Sequence, residues 1–399
     1  MQLGWIDFSK EEREKVLDVI QLLQEPGAVD ELGIGTIRDA FANYFFPGTS
    51  TIQTRAKYFL IVPYVLKEVG EGKYGSDKNK ILKLVDEEER KCGLKLIQGD
   101  KRGVIGSLVL PHSWVARKPS NIYWNGIKEF GIFRNKYLSI NEYIEKSILL
   151  NNMKKGTKLG NRYDTAEENE KDDKDAGDIL SFQFWNLPSV YNTNWKENLT
   201  IDLLPEEAAF LRKQIQKEQQ GTLFAFILKN NIEVSKYESF AALTEVIYED
   251  VPQTMKEMID LANAFNRLVY VTRIRYNVIL SAGENELAND EWDYYEPVIE
   301  EMVDVDLGQI YERFLITNFG LKKFLNELQK AFKTRDYPMA DKLIRDRESN
   351  LKGSSRAKLN RIGEYPADEW VGGGWLDFRF SAAKRIINDI YAGEEEIHV

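Results

Sequence analysis

The chain has 399 residues, 43% hydrophobic and 30% charged, with a formal net charge of −10, a balance that fits a globular chain able to bury more than one core. It holds 1 cysteine, Cys92, and 2 histidines, His112 and His398. This excludes an internal disulfide framework and thiolate or histidine-rich zinc sites, and it leaves only His112 for a serine-type triad, with no Gly-x-Ser-x-Gly elbow to serve it.

No apolar run approaches the ~18 residues of a membrane span, and the Met1–Trp5 start lacks a signal-peptide pattern. A cytoplasmic chain without a membrane partner is expected. The charge is uneven. Residues 1–160 hold 25 Lys and Arg against 20 Asp and Glu; residues 179–321 hold 11 against 23; residues 322–385 hold 15 against 9. An acidic middle between mildly basic ends argues against a general nucleic-acid coat but leaves local phosphate contacts open.

In chain order, Ser9 with Glu12 gives a capping-box start for a helix over 9–24, ended by Pro26-Gly27. Asp30 is placed to cap the next helix, whose apolar face is Ile34, Ile37, Phe41, Tyr44 and Phe45. Pro47-Gly48 breaks it. Thr49, Ser50 and Thr51 then stand at the start of a further helix, nearly all apolar from Tyr58 to Leu66, which Pro63 should kink or end. With Gln53 and Arg55 these hydroxyls form a candidate phosphate cradle. The alternative is ordinary capping with Arg55 paired to Asp39 or Glu31. A Gly-rich loop over 70–77 leads to a helix over 78–92, with Ile81, Leu82 and Val85 inward and Glu87-Glu88-Glu89-Arg90-Lys91 in solvent.

Leu94–Ile97 and Val104–Leu110 read as short strands. Arg117-Lys118-Pro119-Ser120 then opens a helix to about Phe130, capped at its start by Ser120 and at its end by Gly131. Another helix starts at Ser139 or Asn141. Helices beside a small β element fit a winged-helix module, with Asn121, Tyr123, Asn125 and Lys128 outward and Arg117 and Lys118 on phosphates. A plain packed helix with Tyr123 and Trp124 in the core is the other reading. Residues 156–178 are polar and acidic and mark a flexible linker.

Phe182, Phe184, Trp185, Leu187, Tyr191 and Trp195 form an aromatic cluster expected to dock the second half; with only Lys196 interleaved it suits core or a subunit contact better than a base-stacking platform. Helices follow over about 205–219, 221–230, 238–248 and 253–281. Glu300 and Asp304 at i, i+4, with Asp306, are a possible Mg²⁺ face or a solvated acidic one. Helices return over 307–349. The basic Gly-Ser turn bearing Lys352, Arg356, Lys358 and Arg361 is a second phosphate-contact candidate. A last helix spans about 381–391.

Three stretches carry a resemblance. Gly4-Trp5-Ile6-Asp7-Phe8-Ser9, the segment Asp30-Glu31-Leu32-Gly33-Ile34-Gly35-Thr36-Ile37-Arg38-Asp39-Ala40-Phe41, and Phe46–Phe59 with Pro47-Gly48-Thr49-Ser50-Thr51 resemble a prokaryotic family of unknown function. Pro119–Trp124 resembles a later segment of that family, and the likeness runs on through Arg347-Glu348 and Leu351-Lys352-Gly353. The resemblance carries no activity. It implies an accessory protein encoded beside helicases and nucleases in antiviral defence gene neighbourhoods.

The expected fold is mainly α with a small β element: a helical, winged-helix-containing or plainly packed N-terminal domain over 1–155, the acidic linker, and a helical C-terminal domain over 179–399. The expected function is a non-catalytic accessory subunit of a defence complex, binding other protein subunits, duplex DNA, or both. No catalytic residue, metal ligand, cofactor or small-molecule substrate is assigned. The alternatives are a Mg²⁺-dependent, carboxylate-based nuclease or phosphotransferase, and a purely structural scaffold.

Overall fold

The structure is a computed structural model that describes residues 30–72, 74–160, 184–366 and 368–395, without the side chains of 154–160. The helix expected over 9–24 and most of the acidic linker lie outside the described residues. The chain is mainly α. Among the described residues no β-strand forms, and an isolated antiparallel bridge joins Phe133 to Trp185. The small β element is therefore corrected. Leu94–Leu96 continues a helix, and 104–110 is a run of turns, because Val104, Ile105 and Leu110 are buried individually rather than alternating along an edge.

The chain divides into two compact units, residues 1–41 with 252–376 and residues 42–251 with 377–399. Compactness thus groups 179–251 with 42–155, so these units do not coincide with a sequential split at 156–178. The division falls inside helix α1 (Gly35–Phe45). Asp30 does not cap this helix; its Oδ1 accepts from the Leu32 N–H in the turn before it.

In the unit that contains residues 252–376, helix α9 (Gln253–Leu280) is the central element. Its 28 residues bury Met255, Ile259, Ala262, Phe265, Val269 and Tyr276, among others, so most of its circumference is core. Helices α10 (Glu286–Tyr295), α13 (Phe319–Lys333) and α14 (Tyr337–Lys352) belong to the same unit. Two buried asparagines on α9 hold the loop after α14. Asn266 Oδ1 accepts from Leu376 N–H while its Nδ2 donates to Leu376 O, and Asn277 does the same with Val371. Each amide satisfies a buried backbone donor and acceptor that would otherwise be orphaned.

In the other unit, helix α2 (Tyr58–Glu71) is buried from Tyr58 through Leu66. Pro63 does not end it; the helix continues through to Glu71. Proline removes only the bond to Phe59 O, near the helix start, and burial of the surrounding apolar run outweighs that loss. Helices α3 (Lys78–Leu96), α4 (Pro119–Glu129) and α5 (Ile140–Gly160) pack against it. Later come α6 (Pro205–Glu218), α7 (Leu223–Lys229), α8 (Phe240–Ile247) and the closing α15 (Phe380–Glu395), all close to their expected bounds. The turn after α1 approaches α4 so closely that a Cβ at Gly126 would lie 2.4 Å from Gly48 O, and Gly48 itself has φ +77°. Neither position admits another residue without movement.

The aromatic cluster after the linker is core of this unit; its Phe182 lies outside the described residues. Phe184 and Trp185 pack on Phe133 and Tyr143, and Tyr191 and Trp195 on Tyr64.

Candidate functional site

The first phosphate cradle is folded shut. Helix α2 starts at Tyr58, so Thr49–Thr51 do not stand at a helix N-terminus. Thr49 is buried and its hydroxyl donates to Phe46 O at 2.6 Å. Gln53, also buried, accepts from Ser50 N–H and donates to Gly48 O. Tyr123 is fully buried and its hydroxyl accepts from the Thr54 and Arg55 N–H groups, while donating to Arg55 O. Thr51 is exposed but holds no position in a cradle.

Arg55 is paired, though not with Asp39 or Glu31. Its Nε lies 3.0 Å from Asp389 and its Nη2 2.6 Å from Asp202. Burial works against the guanidinium charge, but hydrogen bonds and attraction from Asp389 and Asp202 outweigh it and hold the group above its ordinary value.

The second candidate is similarly occupied. Lys352 lies 3.2 Å from Glu348 and 3.5 Å from Glu31, and Lys358 lies 3.6 Å from Glu31. Arg361 pairs with Glu364, and Arg356 donates to Lys352 O. Glu348 is fully buried and accepts from Tyr276 and from Leu359 N–H as well. The turn is held by its own unit. The carboxylates expected to share a helix face do not: α11 (Ile299–Met302) ends before Asp304. Asp304 meets Lys333, Glu300 faces Arg335, and Asp306 caps the next helix. Among the described residues no group of three or more His, Cys, Asp or Glu could hold a metal ion.

Residues 117–121 are placed differently. Tyr123 and Trp124 are buried, so α4 is a packed helix and not one presented whole to a groove. Its first turn nevertheless lines an open groove of about 730 Å³ together with α3 and the start of α5. Lys118, Ser120 and Asn121 come from α4; Asn79, Lys83, Asp86 and Glu89 from α3; Ser139 and Asn141 from the turn that opens α5. Asn121 is exposed and Arg117 half-buried. The starts of α4 and α5 both lie here, but their donors are partly used: Pro119 has no N–H, and Ser139 and Glu142 cap each other at the start of α5.

Ser120 does not cap α4 as expected. Lys118 occupies the cap and Pro119 the first turn. The cap function comes from Glu89 on α3, which accepts from Ser120 N–H at 2.7 Å and from its hydroxyl at 3.2 Å. Glu89 is 2% exposed. Burial pushes its carboxyl up to about 8, against the lowering effect of the Ser120 bonds, so it is largely protonated at neutral pH. Asp86, the other carboxylate in the groove, lies 2.6 Å from Lys118 and accepts from Trp114 Nε1. Lys83 makes no ion pair among the described residues. The lining therefore carries a small positive excess.

Sequence reasoning read Glu89 as solvated, misled by the charged run around it. Its position was legible from spacing: Ile81, Val85, Glu89, Cys92 and Leu96 are the buried stripe of α3. Cys92 on that stripe is inert, its thiol pushed up to about 12 by burial.

Comparison with known proteins adds one match. Residues 1–145 match a family model described as "Family of unknown function (DUF6361)". Searches of curated proteins and of solved structures gave no match. The match covers residues 35–145, where the groove lies, and brings no activity with it.

Proposed function

We propose that this protein is a non-catalytic accessory subunit that holds the phosphate backbone of nucleic acid in the groove between α3, α4 and α5. The observation that carries the reading is the convergence there of Lys83 and Lys118, the side-chain amides of Asn79, Asn121 and Asn141, and a Glu89 carboxyl kept uncharged by burial. Phosphate needs donors and a modest positive potential, and a second ionised carboxylate would oppose it. The Thr49–Arg55 turn and the Lys352–Arg361 segment are weaker candidates: Arg55 is held between Asp389 and Asp202, and Lys352 and Lys358 converge on Glu31 and Glu348, with no free lysine beside them, among the described residues, comparable to Lys83. No wing is required.

The antiviral setting rests on the family resemblance alone. Direct binding to a labelled DNA duplex by fluorescence anisotropy, across a salt series, tests the contact.

A partner-protein contact is a second reading, favoured by a separate observation on residues 270–375. Tyr270 stacks on Trp375 at 4.1 Å, Tyr295 meets the same ring, and Trp375 and Tyr294 are 44% and 73% exposed. Exposed aromatic ledges of this kind are enriched at protein interfaces. Co-purification with the products of neighbouring genes tests it; loss of that association on Trp375→Ser is the expected result.

A further inference from the structure

A different cavity lies in the unit formed by residues 42–251 and 377–399. It encloses about 390 Å³, within the roughly 300–1,000 Å³ typical of small-molecule sites. Its floor is an ion pair removed from water: Lys57 Nζ lies 2.5 Å from Glu207 Oε2, and each side chain is only 4% exposed. Its walls include Tyr64, Tyr191 and Trp195, with ring centroids 4.7 and 5.1 Å from that of Tyr64. The exposed Asn192, Asn194 and Asn198 form a rim.

The hydrogen-bond inventory at the floor is incomplete. An ammonium carries three N–H donors. Among the described residues Lys57 uses one of them, on Glu207. A carboxylate offers about four lone-pair sites. Glu207 fills three, from Lys57, from Tyr64 Oη at 3.3 Å and from Leu204 N–H at 2.9 Å. Unused donors on Lys57 and an unused acceptor on Glu207 thus stand side by side in a cavity with aromatic walls. Burying an ammonium with donors unfilled is costly, and a ligand edge that fills them recovers that cost.

We infer that this cavity binds a planar heteroaromatic molecule of the nucleobase class. Its hydrogen-bonding edge lies on Lys57 and Glu207 and its face against Tyr191 and Trp195. A nucleobase edge presents an acceptor beside a donor, which is the complement of the unused groups on the floor. The floor is a neutral pair, so it favours an uncharged ring over a strong cation or anion. The aromatic walls supply stacking whatever the base. This site shares no residue with the α3–α4–α5 groove.

The test is isothermal titration of the intact protein with adenosine, guanosine, cytidine and uridine in turn, with Trp fluorescence as a second readout. At least one nucleoside should bind saturably at one per chain. Asn198→Trp places a bulky ring at the exposed rim without touching the floor, and Tyr191→Ala removes a wall; each should weaken binding at least tenfold while the far-ultraviolet circular dichroism is unchanged. Saturable binding that both variants leave intact, or no saturable binding of any of the four nucleosides at millimolar concentration, overturns the inference.

Discussion

Residues 49–57 and residues 117–121 are built from the same materials, hydroxyls and cations near the start of a helix, yet they end in opposite environments. In the first, Arg55 and Lys57 meet Asp389 and Glu207, carboxylates 334 and 150 residues further along the chain. Nothing in the local sequence announces those partners. In the second, Lys118 meets Asp86, only 32 positions earlier, and stays 27% exposed beside a groove. A cation is closed to a phosphate when a distant carboxylate arrives to bury and neutralise it. It remains available for phosphate when its partner is local and wet.

The sharpest way to break that contrast is to remove one half of the buried pair. Lys57→Met leaves Glu207 charged and buried, and should cost about 3–5 kcal/mol in urea unfolding. The double variant Lys57→Met/Glu207→Gln should recover much of that loss, because a neutral pair has no stranded charge. A single variant as stable as the parent would show that Lys57 is not scaffold.

Arg55→Ala should follow at roughly 3 kcal/mol, since it strands Asp389. Arg55→Lys should not rescue it, because only the guanidinium fork reaches both Asp389 and Asp202.

Glu89 gives a pH-dependent version of the same comparison. The unfolded carboxyl ionises near 4.5, whereas the folded one keeps its proton to about 8. Between those values the folded state holds the extra proton, so stability falls as pH rises through the window and is flat on either side. The slope is at most about 1.4 kcal/mol per pH unit. Unfolding midpoints at pH 5.5 and 8.5 should therefore differ for the parent and converge for Glu89→Gln. That variant keeps an acceptor for Ser120 N–H.

The smallest effect belongs to the groove cations. Lys83→Ala/Lys118→Ala should change stability by less than about 1 kcal/mol, as expected for an exposed lysine and a partly exposed pair. A larger loss would mean that these lysines, too, are scaffold.

Much of the helical layout was legible, because 3.6-residue periodicity and turn residues are local signals. The bounds of α6 to α9 and the positive-φ Gly131 after α4 followed from them. What escaped depended on distant partners. Val104–Leu110 looked like a strand because short apolar runs are ambiguous, and among the described residues no strand lies beside it to pair with. Pro63 looked like a kink or an end, and the helix continues past it because the burial holding α2 together is tertiary. The cradle at Thr49–Arg55 looked like an anion site because the hydroxyls were visible and Asp389 and Tyr123 were not. Lys118 and Asn121 were singled out from sequence and do line the groove, whereas Arg117 is not among its lining residues. Lys83, Asn79 and Glu89, which complete it, were passed over inside a helix read as half solvated.

The central claim, that the cations of the groove and not those of the basic turns meet phosphate, is tested most directly by anisotropy of a labelled DNA duplex across a salt series. The parent should bind with log Kd rising steeply with log salt. Lys83→Ala/Lys118→Ala should weaken binding and flatten that slope by about 2, while Lys352→Ala/Lys358→Ala leaves it unchanged. No binding at low salt, or a slope that responds to Lys352 and Lys358 and not to Lys83 and Lys118, would contradict the account.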